Sequence, residues 1–184
     1  MKSTNPHIWT PQSIIPAKPG MLESFRFCNQ YRLEAVVKAT QEVMWRATIT
    51  NLVVTEGLNA ILETMFGTFG KPPAYYIGLI EGATAPVAGD TLATHGFTEY
   101  TGYTGDRKTW VTGTASAGNI TTLNPTSRAE FDFTETKTIT GVLTTDQETG
   151  NVGVLFAAGM LATSKVLDNG WTLRVEYTVT ATSA

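Results

Sequence analysis

The sequence predicts a mainly β protein, an antiparallel β-sandwich, jelly-roll-like, with one α-helix over residues 55–66 and an extended arm at its N-terminus. Three observations predict it. Charged residues make up only 16% of the chain, against roughly a quarter in an ordinary globular protein, while the strand-favouring residues Thr, Val and Tyr are frequent. Several short segments alternate apolar and polar residues with the period of two that a half-buried strand requires. One segment alone carries a substantial apolar stripe at the helical period.

The 184 residues suit one domain with an arm. Residues 1–28 read as the arm. Pro6, Pro11, Pro16 and Pro19 break a helix and withhold N–H donors from a ladder. Ile8, Trp9, Ile14, Ile15, Met21, Leu22, Phe25 and Phe27 nevertheless make the segment too apolar for a free linker. Such a segment wants a partner surface, either its own domain or another subunit. Ile8, Trp9, Ile14 and Ile15 are therefore candidate contact residues.

Residues 29–184 read as the sandwich. Tyr31, Leu33, Ala35 and Val37 alternate with Arg32, Glu34, Val36 and Lys38, and the chain returns as Val43 to Ile49 to close a hairpin. The helix follows, with Thr55 expected as N-cap and Glu56 in the first turn, where the helix dipole favours an anion. Leu58, Ile61, Leu62, Met65 and Phe66 form its apolar stripe. Burying them would contribute about 1.5–3 kcal/mol each before entropy is subtracted, so the helix is expected to cover a sheet face and to organise the fold. Ala74 to Ile80 is continuously apolar apart from a glycine, as in a central strand covered on both sides.

Residues 81–107 form a long glycine-rich region with short candidate elements at Thr91–Thr94 and Phe97–Tyr100. Phe97, Tyr100 and Tyr103 read as plugs of the core; Phe97 and Tyr103 are also candidate partner contacts. Strands follow at Lys108–Thr112, Asn119–Leu123, Ala129–Phe133, Lys137–Thr145, Val152–Leu161 and Trp171–Ala181. The last puts Trp171, Leu173, Val175, Tyr177 and Val179 inward, behind the turn signal Asp168-Asn169-Gly170.

A net charge of −3 offers no basic patch for phosphates, so no nucleic-acid partner is expected. Cys28 is the sole cysteine, excluding an internal disulfide, and reads as a small buried hydrophobe. The first twenty residues lack the apolar core of a signal peptide, and no run could span a bilayer as a helix. The expectation is a soluble protein made in a cytoplasm, without a membrane partner.

The search for chemistry returns little. His7 and His95 are too far apart in sequence for a shared metal motif, and Cys-x-x-Cys, Walker and nucleophile-elbow patterns are missing. Glu130, Asp132 and Glu135 fall close together, but Glu130 and Asp132 alternate with Phe131 and Phe133 and read as a solvated strand face rather than a glycosidase pair. Asp146, Glu148 and Asn151 lack the spacing of a calcium loop. No enzymatic activity and no cofactor are expected.

Certain motifs together resemble a known family. They are Asn51-Leu52-Val53 and Thr55-x-Gly57-Leu58-Asn59 ahead of the helix, Tyr76-Ile77-Gly78-Leu79-Ile80, Ala88 to Tyr100, and Arg107 ahead of Trp110. Later come Gly118-Asn119-Ile120, Ala129-x-Phe131, Ile139-Thr140-Gly141-Val142-Leu143, Gly153 to Ala158, and the final strand from Gly170 to Val179. Over residues 31–181 this order is similar to a family of small virion proteins of tailed bacteriophages. The resemblance implies a cement or decoration protein on the outside of the capsid, with the major capsid protein as partner and a second copy of itself as a possible one. A tail-fibre or collar component is the alternative, followed by a glycan-binding module that would use Tyr100, Tyr103 and Trp110.

Overall fold

The computed structural model describes residues 25–103 and 106–183, with the side chains of Phe25 and Ser183 left out. Ile8, Trp9, Ile14 and Ile15 lie outside the described residues. The protein is mainly β, two antiparallel sheets forming a sandwich.

In the first sheet, β1 (Phe25–Val37) lies between β2 (Val43–Thr50) and β11 (Trp171–Ser183), and β11 also pairs with β7 (Asn119–Thr121) and β8 (Ala129–Asp132). β1 and β11 run in unbroken register from Phe25 opposite Ser183 to Val37 opposite Trp171. Residues 25–28, expected in the arm, therefore belong to the sheet. The apolar alternation is interrupted at Asn29, which is 5% exposed, and that hid the first two turns of pleat.

The second sheet runs β3 (Leu52–Val53), β10 (Leu155–Leu167), β9 (Lys137–Thr145), β4 (Tyr76–Glu81) and β5 (Thr98–Tyr100), with β6 (Lys108–Thr109) also on β4. β10 continues past its expected end at Leu161: after a register shift between Met160 and Lys165 it pairs with β9 again as far as Leu167. The turn at Asp168-Asn169-Gly170, where Gly170 has φ +82°, then carries the chain from the second sheet to the first. Thr91–Thr94 is a turn closed by reciprocal backbone hydrogen bonds of 2.9 and 3.2 Å rather than a strand.

The main core lies between the sheets, where Tyr31, Leu33, Phe131 and Leu173 of one meet Ile77, Leu79, Ile139 and Val142 of the other. A second cluster covers the opposite face of the second sheet. There Ile80, Leu143, Leu155 and Ala158 pack against Val54, Leu92 and Phe97. β4 is thus buried on both faces, as its apolar run predicts. The long region after it is shaped around its own plugs.

Candidate interaction surface

The helix α1 spans Thr55–Phe66, the expected residues, but its seat differs from the expectation. Thr55 is its first helical residue, not its N-cap; Val54 holds the cap position and no side chain caps the end. Glu56 ties the helix down instead. One carboxylate oxygen, Oε2, accepts from the backbone N–H of Leu92 at 2.9 Å and of Leu155 at 2.7 Å, linking helix, long loop and β10.

Gly57 and Ala60 are the buried residues of α1, pressed on Phe156 and Ala157 of β10. With 3.6 residues per turn, these two small residues centre about a third of a turn away from the apolar stripe. The stripe consequently faces outward. Leu58 is 39% exposed, Leu62 55%, Met65 61% and Phe66 79%, and Phe69 just beyond the helix 40%; only Ile61 is half-buried. The expectation that this stripe covers a sheet face is corrected. Backbone approach at Gly57, impossible for a larger residue, decides which side goes down.

Beside the helix a cleft of about 510 Å³ opens. It is lined by Ile61 and Met65 of the helix, by Phe27 and Val179 of the first sheet, and by Tyr75, Trp110 and Phe156. The Tyr75 ring meets Phe156 edge-on at 4.9 Å, and Trp110 meets Tyr177 at 4.7 Å. The floor is polar. Asn29 donates to the Tyr177 hydroxyl at 2.9 Å and Asn51 does so at 3.2 Å. Tyr31 stacks on Tyr177 at 4.4 Å and shares a 2.6 Å hydrogen bond with Thr144. Burial pushes the Tyr177 hydroxyl up to about 12; burial and then the neighbouring Tyr177 push Tyr31 well above its ordinary value. The Oδ1 atoms of Asn29 and Asn51 are buried and find no donor among the described residues.

The two loop residues expected as partner contacts are not on the surface. Phe97 is 4% exposed and Tyr103 5%. Phe97 plugs the outer cluster with Leu92, and Tyr103 packs edge-on against Phe131 at 4.8 Å. Beside Tyr103, Arg107 clasps Glu99 with two hydrogen bonds of 2.7 and 2.6 Å and donates to the Gln147 carbonyl at 3.0 Å. Tyr103 packs inward beside this clasp, and Phe97 packs inward in the cluster around Leu92. His95 stacks on Phe97 at 4.0 Å and bonds its carbonyl oxygen.

Cys28 is exposed, not buried as expected; on β1 it falls on the opposite face from Phe27 and Asn29. Glu130 and Asp132 occupy the solvated face of β8, paired with Arg174 at 2.8 Å and Lys38 at 2.6 Å. Among the described residues no group of three or more His, Cys, Asp or Glu is placed to hold a metal ion. No described helix is long and apolar enough to cross a membrane.

What the surface offers is an apolar face on a rigid support with an apolar cleft beside it. In comparisons with known proteins, the chain matches no family model and no curated protein.

Proposed function

We propose that this protein is a structural part of the virion of a tailed bacteriophage. It is a cement or decoration protein on the capsid exterior that binds major capsid protein subunits and holds neighbours together. The motifs from Asn51 to Val179 support the family. The outward apolar face of α1 carries the contact. Leu58, Leu62, Met65 and Phe66 are exposed together on one stripe of the helix, and a contiguous apolar patch of this kind marks an association site.

The mechanism needs no chemistry. Burying a patch of this kind yields roughly 25 cal/mol per Å² of apolar surface, most of it offset by lost freedom on docking. Repetition over a symmetric shell then converts weak contacts into lasting occupancy, because binding that favours the assembled state shifts it by mass action. The net charge of −3 suits an exterior position, away from packaged DNA.

The test is binding to purified capsids with the wild-type chain and the double variant Leu62→Glu, Phe66→Glu. Wild type should add to capsids in many copies and raise the temperature at which they rupture; the variant should do neither. Equal binding by the two proteins removes α1 as the contact. A few copies at one vertex would point to the tail, and no binding at all would overturn the capsid reading.

A further inference from the structure

Arginines that stand apart in the sequence, Arg32, Arg46, Arg128 and Arg174, are brought together on the outer face of the first sheet. Because Tyr31, Leu33, Ala47 and Val175 turn into the core, the pleat sends Arg32 and Glu34 of β1, Arg46 and Thr48 of β2, and Arg174 and Glu176 of β11 outward. Arg128, just ahead of β8, joins them by donating from Nε to Glu176 Oε1 at 2.7 Å and from Nη1 to Glu34 Oε1 at 3.1 Å. These side chains line a hollow of about 430 Å³. Its four guanidinium groups outnumber its carboxylates, Glu34 and Glu176, and still do so when Glu130, which accepts from Arg174 at 2.8 Å, is counted with them. A chain of net charge −3 thus carries a positive hollow.

The four cations are not equally occupied. Arg128 and Arg174 are mostly covered and hold the carboxylates of the sheet face. Arg46 meets Glu34 Oε2 through Nε at 2.8 Å and Nη2 at 2.7 Å, yet its side chain stays 69% exposed. Arg32 is exposed, reaches Gln30 Oε1 at 3.5 Å, and forms no ion pair among the described residues. Register sets Arg32 opposite Thr48 and Glu34 opposite Arg46, so Arg32 and Arg46 are diagonal neighbours, about 7–8 Å apart across the two strands. Alternate residues on one side of an extended chain are about 6.6 Å apart, nearly the same step. A nucleic acid, charged at every step, would instead carry phosphates onto Glu34 and Glu176.

We infer that this hollow docks an extended acidic segment of a partner protein, with carboxylates at alternate positions received by Arg32 and Arg46. The planar guanidinium fork matches a carboxylate bidentately, and the carboxylates already seated on Arg128 and Arg174 fix the hollow's floor. The site is separate from the apolar stripe of α1: the helix packs on β10 of the second sheet, whereas the hollow lies on the outer face of the first and shares no residue with the stripe. A protein that holds neighbouring subunits together needs two contacts, and the hollow supplies the second. That use rests on the virion reading. The affinity for carboxylates does not, and it holds or fails in the isolated protein.

The experiment titrates a capped peptide of alternating glutamate and threonine, and its glutamine counterpart, into the full ¹⁵N-labelled chain at low salt, reading the arginine Nε–H resonances. The glutamate peptide should shift the Arg32 and Arg46 signals to saturation, with an affinity that falls as salt is added; the glutamine peptide should not. The double variant Arg32→Gln, Arg46→Gln should weaken binding by about tenfold, the scale of a lost charge-assisted hydrogen bond. It should also unfold at nearly the wild-type temperature, because Glu34 keeps its bond to Arg128. Lys71→Gln, an exposed cation outside the hollow, should bind as wild type. No shift at millimolar peptide, equal shifts with the glutamine peptide, an equal loss in Lys71→Gln, or tighter binding of an oligothymidylate of the same charge would each overturn the inference. The last result would assign the hollow to a polyphosphate backbone. A failure here leaves capsid binding through α1 to stand or fall on its own test.

Discussion

Gly57 of the helix lies so close to Phe156 of β10 that a Cβ added to it would stand 2.7 Å from the Phe156 Cα. Neither backbone can give way cheaply, because Phe156 sits in β10 and the Glu56 carboxylate holds the backbone N–H of the preceding residue, Leu155. Gly57→Ala removes the conformational cost of glycine in a helix, which would by itself stabilise by up to about 1 kcal/mol. The overlap reverses that sign, and the expected outcome is a loss of about 1–3 kcal/mol in urea unfolding. A more stable Gly57→Ala protein would mean that α1 is not held against β10 as described.

The apolar stripe makes an opposite prediction. Leu62 and Phe66 would cost about 2–5 kcal/mol each on truncation if they covered the sheet. Exposed at 55% and 79%, they should cost within about 0.5 kcal/mol each when changed to Ala, as surface residues do. Thermal unfolding of the two single variants distinguishes the cases. A loss above about 2 kcal/mol in either would restore the covering role expected from periodicity.

Arg107 and Glu99 hold the long loop shut from inside, with side chains 8% and 13% exposed. Arg107→Ala leaves the Glu99 carboxylate buried without its partner and should destabilise by about 3–5 kcal/mol. Adding Glu99→Gln neutralises that charge, so the double variant should be more stable than Arg107→Ala alone. The non-additivity, read from a double-mutant cycle, measures the coupling. Strict additivity would show that the pair contributes nothing as a pair.

The stacked tyrosines give the protein an alkaline limit. Tyr177 is raised to about 12 in the folded chain, first by burial, from about 10 in an unfolded one. A raised folded value means that the stabilisation is complete below pH 10 and is lost as pH climbs from 10 toward 12. Tyr31, raised in the same direction, steepens the decline. Urea midpoints measured from pH 8 to 11.5 should be level to about pH 10 and then fall. Tyr177→Phe should lower stability at neutral pH by about 1–3 kcal/mol, because the Asn29 and Asn51 amides lose their shared acceptor, and should make the alkaline decline shallower. A decline of unchanged slope would assign it to other groups.

Local pattern alone was enough for the faces of the strands, though not for the start of β1 or the end of β10. Alternation places Leu173, Val175 and Tyr177 inward, and the apolar run at Ile77 to Ile80 foretells a strand with both faces covered, because a pleat assigns side chains to faces without reference to anything distant. The helix limits follow from periodicity in the same way. Which face of the helix goes down does not, since that depends on Gly57 meeting the backbone of Phe156, a residue 99 positions away on another element. The inward turn of Phe97 likewise rests on the cluster around Leu92, and that of Tyr103 goes with the Arg107–Glu99 clasp beside it. Within the sheets, then, the amino-acid order determined the fold, through the two-residue period of the pleat. The tertiary structure decided the exposed helix face and the cleft beside it, because close backbone approach and buried ion pairing arise between segments that sequence spacing does not relate.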